Sequence, residues 1–423
     1  MTPPAARRQS LWRNRDFMAL WSGQIVSTLG TRISATAAPL LVLAMTGSPA
    51  DAGLIGAAAT VPYLVAHLPA GTLVDRWNRR RIMLAAQLTA CAAIASIPVA
   101  FWLGALTLTH LAIAVFVQGT CFVFFGVAEE AALPKIVQAP LLPAAIAQNE
   151  AKGRGAALAG PPLGGLLFGI GHALPFVAHA ISYLVASVAL LFVRRDLQDR
   201  RAVPPGSLWR DTIAGLRWLW GHSLIRAAVV LVAASNLIFA GLSLVLVVLA
   251  REQGASSTEI GLMLGIYGGG GLLGAFAAGW LHHLFTPRSV VIGVNWIWAA
   301  LLPLLAVAPN WWALGAIGAA TAFIGPMWNV VIGTFQLTLV PNELLGRVGS
   351  ASMTVGWGVM PLGSLGAGYL LAEAGPVAAV LVLSAAMLVT AVVATLNRSV
   401  RAAPAAPAAD GDSSALEPLK SDH

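Results

Sequence analysis

Apolar residues fill this chain in long blocks separated by short polar and basic segments, and the alternation runs down nearly its whole length. About 20 apolar residues in a helix are needed to cross the hydrocarbon core of a bilayer. Twelve segments are long enough, at roughly 17–45, 52–74, 82–104, 107–131, 144–170, 173–193, 224–250, 258–283, 288–308, 311–339, 347–372 and 376–397. The pattern predicts an all-α polytopic membrane protein with twelve transmembrane helices. The first block is too long for a signal peptide and lacks a small-residue cleavage site, so it is expected to stay in the chain.

Charge sets the orientation. Arg7, Arg8, Arg13 and Arg15 precede the first span, and the loops after even-numbered spans carry Arg76, Arg79, Arg80, Arg81, Lys135, Arg194, Arg195, Arg200, Arg201, Arg210, Arg217, Arg288 and Arg347. Opposite them only Arg251 occurs. Lys and Arg are retained on the cytoplasmic side, so both termini are expected in the cytoplasm of a multi-pass protein of the cell membrane. One missed span would scramble this asymmetry.

Composition agrees, with 58% hydrophobic and only 10% charged residues; soluble domains carry about 25% charged residues. The net charge of +8 is accounted for by the cytoplasmic loops and calls for no nucleic acid. Cys91 and Cys121 fall inside spans, leaving neither a disulfide framework nor a zinc spacing. No cofactor or metal site is expected. No Ser/His/Asp, paired-carboxylate or phosphate-loop pattern points to an enzyme or a nucleotide-driven pump.

Five regions follow: a basic N-terminal segment (1–16), a first bundle of six helices (17–193), a linker (194–223), a second six-helix bundle (224–397) and a tail (398–423). The linker contains Pro204-Pro205-Gly206 and then a stretch around Trp209, Arg217 and Trp220 whose apolar and basic residues alternate at helical spacing. It is expected to lie along the cytoplasmic membrane surface as an amphipathic helix. The tail is rich in Ala, Pro, Asp and Ser and is expected to be disordered. The halves repeat: Gly53 and Gly71 of the second span and Gly261 and Gly279 of the eighth are 18 residues apart in each case. Pro162-Leu163-Gly164-Gly165 in the fifth span is answered by Pro361-Leu362-Gly363-Ser364 in the eleventh.

Between the second and third spans stands Gly71-x-x-x-Asp75-Arg76-x-x-Arg79-Arg80-Arg81, one acid among four arginines. The pattern resembles the loop motif of the major facilitator superfamily of secondary transporters, which build a midplane cavity between two rocking bundles. An acid beside a basic knot can form an ion pair that breaks as helices move. Where the superfamily usually has a second glycine this chain has Asn78, the residue next best suited to a left-handed turn. The second copy of the loop has decayed to His282-His283-x-x-x-x-Arg288, so the first is expected to carry the gating electrostatics.

Gly160-Pro161-Pro162-Leu163-Gly164-Gly165 in the fifth span resembles the antiporter motif of drug exporters in the same superfamily, although glycine occupies position 155 and Ala156 stands where the family prefers glycine. Small residues let backbones approach and proline removes a helical hydrogen bond, so the motif reads as a hinge and seal. Ala132-Leu-Pro134, Asn149 followed by Arg154, Gly215-Leu-Arg217, and Pro341-Asn-Glu343-Leu-Leu-Gly346-Arg347-Val348 resemble the branch of macrolide, multidrug and enterobactin exporters. That resemblance implies a monomer exchanging a small amphipathic molecule for protons across the bilayer.

Charges inside spans are costly and mark coupling or substrate sites. Arg32 lies mid-span where many relatives resemble Gly-Asp; here the acid is missing, and Arg32 becomes a candidate for attracting an anionic or carbonyl-rich substrate. Glu129 and Glu130 close the fourth span while Lys152 and Arg154 open the fifth, so an antiparallel hairpin can bring acids and bases together. Adjacent carboxylates point in different directions on a helix, so one of them is expected to face the pathway. Asn236, Tyr267, Trp328, Asn329, Gln336 and Trp357 are candidate cavity residues, polar or aromatic against apolar surroundings. His67 and His179 read as helix-to-helix hydrogen bonders. An importer or facilitator of the same fold, or a lipid-handling flippase, remains open at this stage.

Asp75→Asn removes the one acid of the basic loop. Transport should fall at least about tenfold, the effect of ~1.4 kcal/mol, while membrane insertion is kept because orientation depends on Lys and Arg. Wild-type efflux from an equally expressed variant would exclude a gating role.

Overall fold

The computed structural model describes residues 11–195, 197, 208–281, 284–341 and 344–402, and their side chains apart from Leu68, Thr72, Asp75 and 208–212. Arg7, Arg8, the Pro204-Pro205-Gly206 break, the His282-His283 remnant, Glu343 and the tail after residue 402 lie outside it. Among the described residues the chain is helical and contains no strand. The helices of the first half are α1 (Arg15–Thr46), α2 (Pro49–Val65), α3 (His67–Arg76), α4 (Arg79–Trp102), α5 (Leu108–Ile136), α6 (Leu142–Ile170) and α7 (Leu174–Leu191). Then follow α8 (Leu208–Gly221), α9 (Ser223–Glu252), α10 (Ser257–Leu281), α11 (Pro287–Leu301), α12 (Trp311–Leu339), α13 (Leu345–Gly358), α14 (Met360–Leu396) and α15 (Arg398–Arg401).

Short polar residues between the apolar blocks become helix caps. Asn14, Ser48, Asn78, Thr107, Thr286 and Asn310 each accept a hydrogen bond from the amide three residues on, satisfying a donor that the first turn leaves unpaired. Gly47, at φ 69°, closes α1 in the left-handed conformation and lets the chain reverse directly into α2.

Nine helical stretches among the described residues are long and apolar enough to cross a membrane. The last, Leu345–Leu396, spans 52 residues and contains the non-helical Gly375 (φ 78°, ψ 172°). As one rod it would measure about 78 Å, far beyond a bilayer core of about 30 Å, so it supplies two passes. Two further spans complete the set of twelve. The second is divided at Ala66 into α2 and α3, where Pro69 cannot donate to the carbonyl of Val65. The fifth, α6, carries Glu150, Lys152 and Arg154 in its first half.

Each half packs as its own bundle. In the first, α1 lies on α6 and α7, α4 on α5 and α7, and α2 on α5; in the second, α10 lies on α12, α9 on α14, and α11 on both α12 and α14. The halves meet along two seams, α6 against α10 and α2 against α14. The linker helix α8 packs on α13 and α9, with Leu219 fully buried and Gly215 against the backbone of Arg347.

Candidate functional site

The basic loop is built as a set of helix-end contacts. Arg79 is buried and its guanidinium donates to the carbonyl oxygens of Ala131 (3.1 Å) and Leu197 (3.0 Å). Arg80 donates to the carbonyl of Leu191 at 2.7 Å, the last residue of α7. A guanidinium at a helix C-terminus, as Arg80 is on α7, satisfies an orphan carbonyl and opposes the negative end of the dipole. Asn78 does not take the expected left-handed turn. It is extended (φ −63°, ψ 112°), and its Oδ1 accepts from the amide of Arg81 at 3.1 Å, because capping α4 uses its side chain rather than its tolerance of positive φ. Arg76 and Arg81 are exposed, Gly71 is half-buried with open space beside it, and the side chain of Asp75 is outside the described residues. The same end of the bundle is fastened by Asn14, which donates to Ile136 O (2.8 Å), and by Asp16, which accepts from the Arg194 amide (2.8 Å) and pairs with Arg195 (3.7 Å).

The glycine-proline motif of α6 has two working faces. Gly160 and Gly164 lie against α1: a methyl on Gly160 would collide with Cβ of Arg32, and one on Gly164 would stand 2.6 Å from the carbonyl oxygen of Ile33. Gly165 faces the other half, where a methyl would come within 2.9 Å of Gly261 Cα and collide with the Ser257 carbonyl. Although Pro161 and Pro162 remove two amide donors, α6 runs on without a break. The carbonyls they deprive, Ala157 and Leu158, are covered by α10: Gly268 sits on Ala157 O and Gly265 lies beside Leu158 O. Such close backbone approach permits Cα–H···O contacts across the seam.

The second seam repeats the device. A methyl on Gly53 of α2 would lie 2.7 Å from Ser364 O and 2.8 Å from Gly368 Cα of α14. The internal repeats therefore place glycine at both seams, Gly53 in one and Gly261 in the other. These contacts lie toward the end of the molecule remote from the basic loops. Nearer those loops Gly153 and Gly155 of α6 have open space beside them, and Tyr63 of α2 meets Trp357 of α13 with ring centroids 5.2 Å apart.

Between the halves is a cavity of about 540 Å³, within the range of small-molecule sites. Arg32, Asn236, Tyr267, Trp328, Asn329 and Trp357 all line it, joined by Arg154 of α6. Gln336 does not belong to the lining; it follows Asn329 along α12 by seven residues, about 10 Å. Asn236 donates to Gly356 O at 2.8 Å, which holds α9 to the end of α13. Trp298, Phe239 and Thr321 were not legible as cavity residues. Trp298 donates its indole N–H to Thr321 O at 2.9 Å and packs edge-on against Phe239 at 4.8 Å, so its ring faces inward instead of joining an interfacial belt.

The charged hairpin forms in part. Lys152 reaches Glu129 at 3.4 Å, both side chains being largely buried, while Glu130 is exposed. Neither acid lines the cavity. Arg154, two residues beyond Lys152, has Glu150 4.0 Å from its Nε. His179 bonds Ser34 (2.7 Å) and Thr31 (3.2 Å), joining α7 to α1. His67 stacks near Tyr63 at 6.4 Å.

A family model described as a transmembrane secretion effector matches residues 9–420. The multidrug efflux pump Tap of Mycolicibacterium fortuitum is 28% identical, over 89% of this chain and 93% of that protein. Macrolide efflux protein A of Streptococcus pyogenes is 23% identical, over 82% of this chain and 87% of that protein. Among solved structures, a bacterial homologue of the iron transporter ferroportin in an inward-facing state superposes with a TM-score of 0.68 at 17% identity, covering 92% of this chain and 99% of that one.

The two faces of the motif predict two phenotypes. Gly165→Val overpacks the seam between halves by about 1–3 kcal/mol, so cysteines placed beyond that seam should gain labelling from the outside while the protein still folds. Gly164→Val should instead lower the thermal midpoint by wedging α6 from α1 within one bundle. Unchanged labelling in Gly165→Val would exclude the seal.

Proposed function

The chain belongs to the transmembrane secretion effector family of major facilitator transporters, and we propose that it exports small amphipathic molecules from the cytoplasm in exchange for protons. The observation that carries this reading is the cavity of about 540 Å³ between two independently packed bundles, bounded by glycine seams at one end. A molecule entering from the side of the basic loops meets indole and phenyl surfaces interspersed with amides, hydroxyls and the arginines Arg32 and Arg154, a mixture that suits amphipathic compounds. Rocking of the bundles about the seams then exposes the cavity to the other side. The likeness to multidrug and macrolide efflux proteins supports the outward direction.

Coupling in this reading belongs to the α5–α6 hairpin. Glu129 and Lys152 are partly removed from water, and protonating Glu129 cancels the attraction that ties the two helices. Lys152 shares its helix turn with Arg154, whose side chain is in the cavity. In this reading a proton on Glu129 frees Lys152, on the helix that also carries Arg154 into the cavity. Glu130, on the adjacent position, is exposed, whereas Lys152 pairs with Glu129, so Glu130 is the lesser contributor.

The test is proton-gradient-driven uptake of a fluorescent drug into inverted vesicles. Glu129→Gln should cut it at least about tenfold, the effect of ~1.4 kcal/mol, and Glu130→Gln less, while drug affinity at fixed pH is kept because an amide preserves the hydrogen-bonding shape. Uptake by the double Gln variant with unchanged pH dependence would refute this coupling. Inward drug flow down its gradient, indifferent to a proton uncoupler, would mark a facilitator instead.

A further inference from the structure

The charges lining the cavity are all of one sign. Arg32 of α1 and Arg154 of α6 are its charged residues, and no Asp or Glu is among the lining. Among the described residues Arg32 forms no ion pair, and its side chain is exposed within the cavity. Arg154 has the carboxylate of Glu150 only at 4.0 Å, and that carboxylate is itself 73% exposed. The better-buried acid Glu129 is held by Lys152.

The two arginines line the same cavity. Gly160 of α6 lies against Cβ of Arg32, and Arg154 precedes Gly160 by six residues, about 9 Å along the same helix. The terminal nitrogen of Arg154 approaches α10, 3.8 Å from where a methyl on Gly271 would stand. Both guanidiniums therefore border the space between the halves, with Trp298, Trp328 and Trp357 forming its aromatic walls. A guanidinium presents a planar fork of donors that matches carboxylate and phosphate oxygens, and its charge is fixed at every physiological pH. A cationic amphiphile entering this space would meet repulsion with no carboxylate in the lining to offset it.

Building on the export reading, we propose that the transported amphiphile carries an oxyanion, a carboxylate or phosphate, which binds between Arg32 and Arg154 while its apolar body rests on the tryptophan walls. The indole faces, which favour cations when alone, serve here as apolar surface because the arginines already dominate the local field.

The test uses purified full-length protein in phosphatidylcholine nanodiscs and three matched probes: naphthalene bearing a carboxylate, a phosphate or a trimethylammonium group, titrated by fluorescence. Both anions should bind roughly tenfold or more tighter than the cation, a preference that shrinks as NaCl rises from about 20 to about 500 mM. Whichever anion leads names the oxyanion. Arg32→Gln with Arg154→Gln should bring the three probes to within about twofold of one another, and Arg32→Lys with Arg154→Lys should keep the preference. Arg251→Gln, at an exposed position outside the lining, should bind as the wild type. If the double Gln protein does not fold, the wild-type ranking, its salt dependence and the Lys pair decide. Equal or tighter binding of the cation, binding of none of the probes, or a preference that survives double Gln substitution would overturn the proposal. Direction is read separately, by efflux from intact cells. Efflux with a cation-preferring cavity sinks this inference alone, whereas anion preference without efflux sinks the export reading alone.

Discussion

If the two bundles rock as proposed, they must hold together in lipid and yet part, and what reconciles these demands is glycine backbone set directly on glycine backbone. Between helices in a bilayer there is no hydrophobic gain to be had, so attraction comes from close packing and polar contacts. Gly165 on Gly261 and Gly53 on Gly368 bring main chains together with nothing interposed. Contacts of this kind are shallow and lack interlocking side chains, so they separate without dragging rotamers apart. The prolines of α6 reinforce the arrangement. By stripping the carbonyls of Ala157 and Leu158 of their helical donors, they leave oxygen atoms facing α10 at the positions where Gly268 and Gly265 let that helix come near.

The two seams are alike in chemistry and different in stiffness. In one, α6 and α10 are continuous helices. In the other, the second span is cut at Ala66 and the eleventh at Val359, and Tyr63 and Trp357 meet close to those breaks. Hinges are element-terminal positions that absorb a change in backbone angles. In the proposed rocking, segmented helices on one side and rods on the other would make the broken pair the side where the bundles flex, with α6 and α10 as the axis.

Electrostatics divide into three uses at three depths. At the loop end Arg79 and Arg80 are consumed in hydrogen bonds to backbone carbonyls, Arg80 at the end of α7, which makes them structural first. At the hairpin, Glu129 and Lys152 neutralise each other. Only in the cavity do Arg32 and Arg154 stand without a buried acid, and positive charge there has an energetic consequence. A potential negative inside drives each exported negative charge outward by about 2.3 kcal/mol per 100 mV. Exchange of an anion for an incoming proton adds both movements to the same gradient.

Much of this was legible in the chain itself. The all-helical, many-span fold follows from apolar length, because lipid admits only internally satisfied helices, and the placing of Lys and Arg adds an expected orientation. The glycine repeats and the antiporter-like motif could be read for the same reason: their residue types are dictated by backbone approach. Tertiary structure alone decided what each residue faces. It separated Gly164 from Gly165, one serving its own bundle and the other the seam, since adjacent positions on a helix diverge by about 100°. It turned Asn78 into a cap, placed Gln336 outside the lining and brought Trp298 in. It also set Arg32 and Arg154 in one cavity, although they lie far apart in sequence and belong to different helices. Local pattern fixes the helices, but only the packing of one helix against another selects which face of each is turned toward the space between.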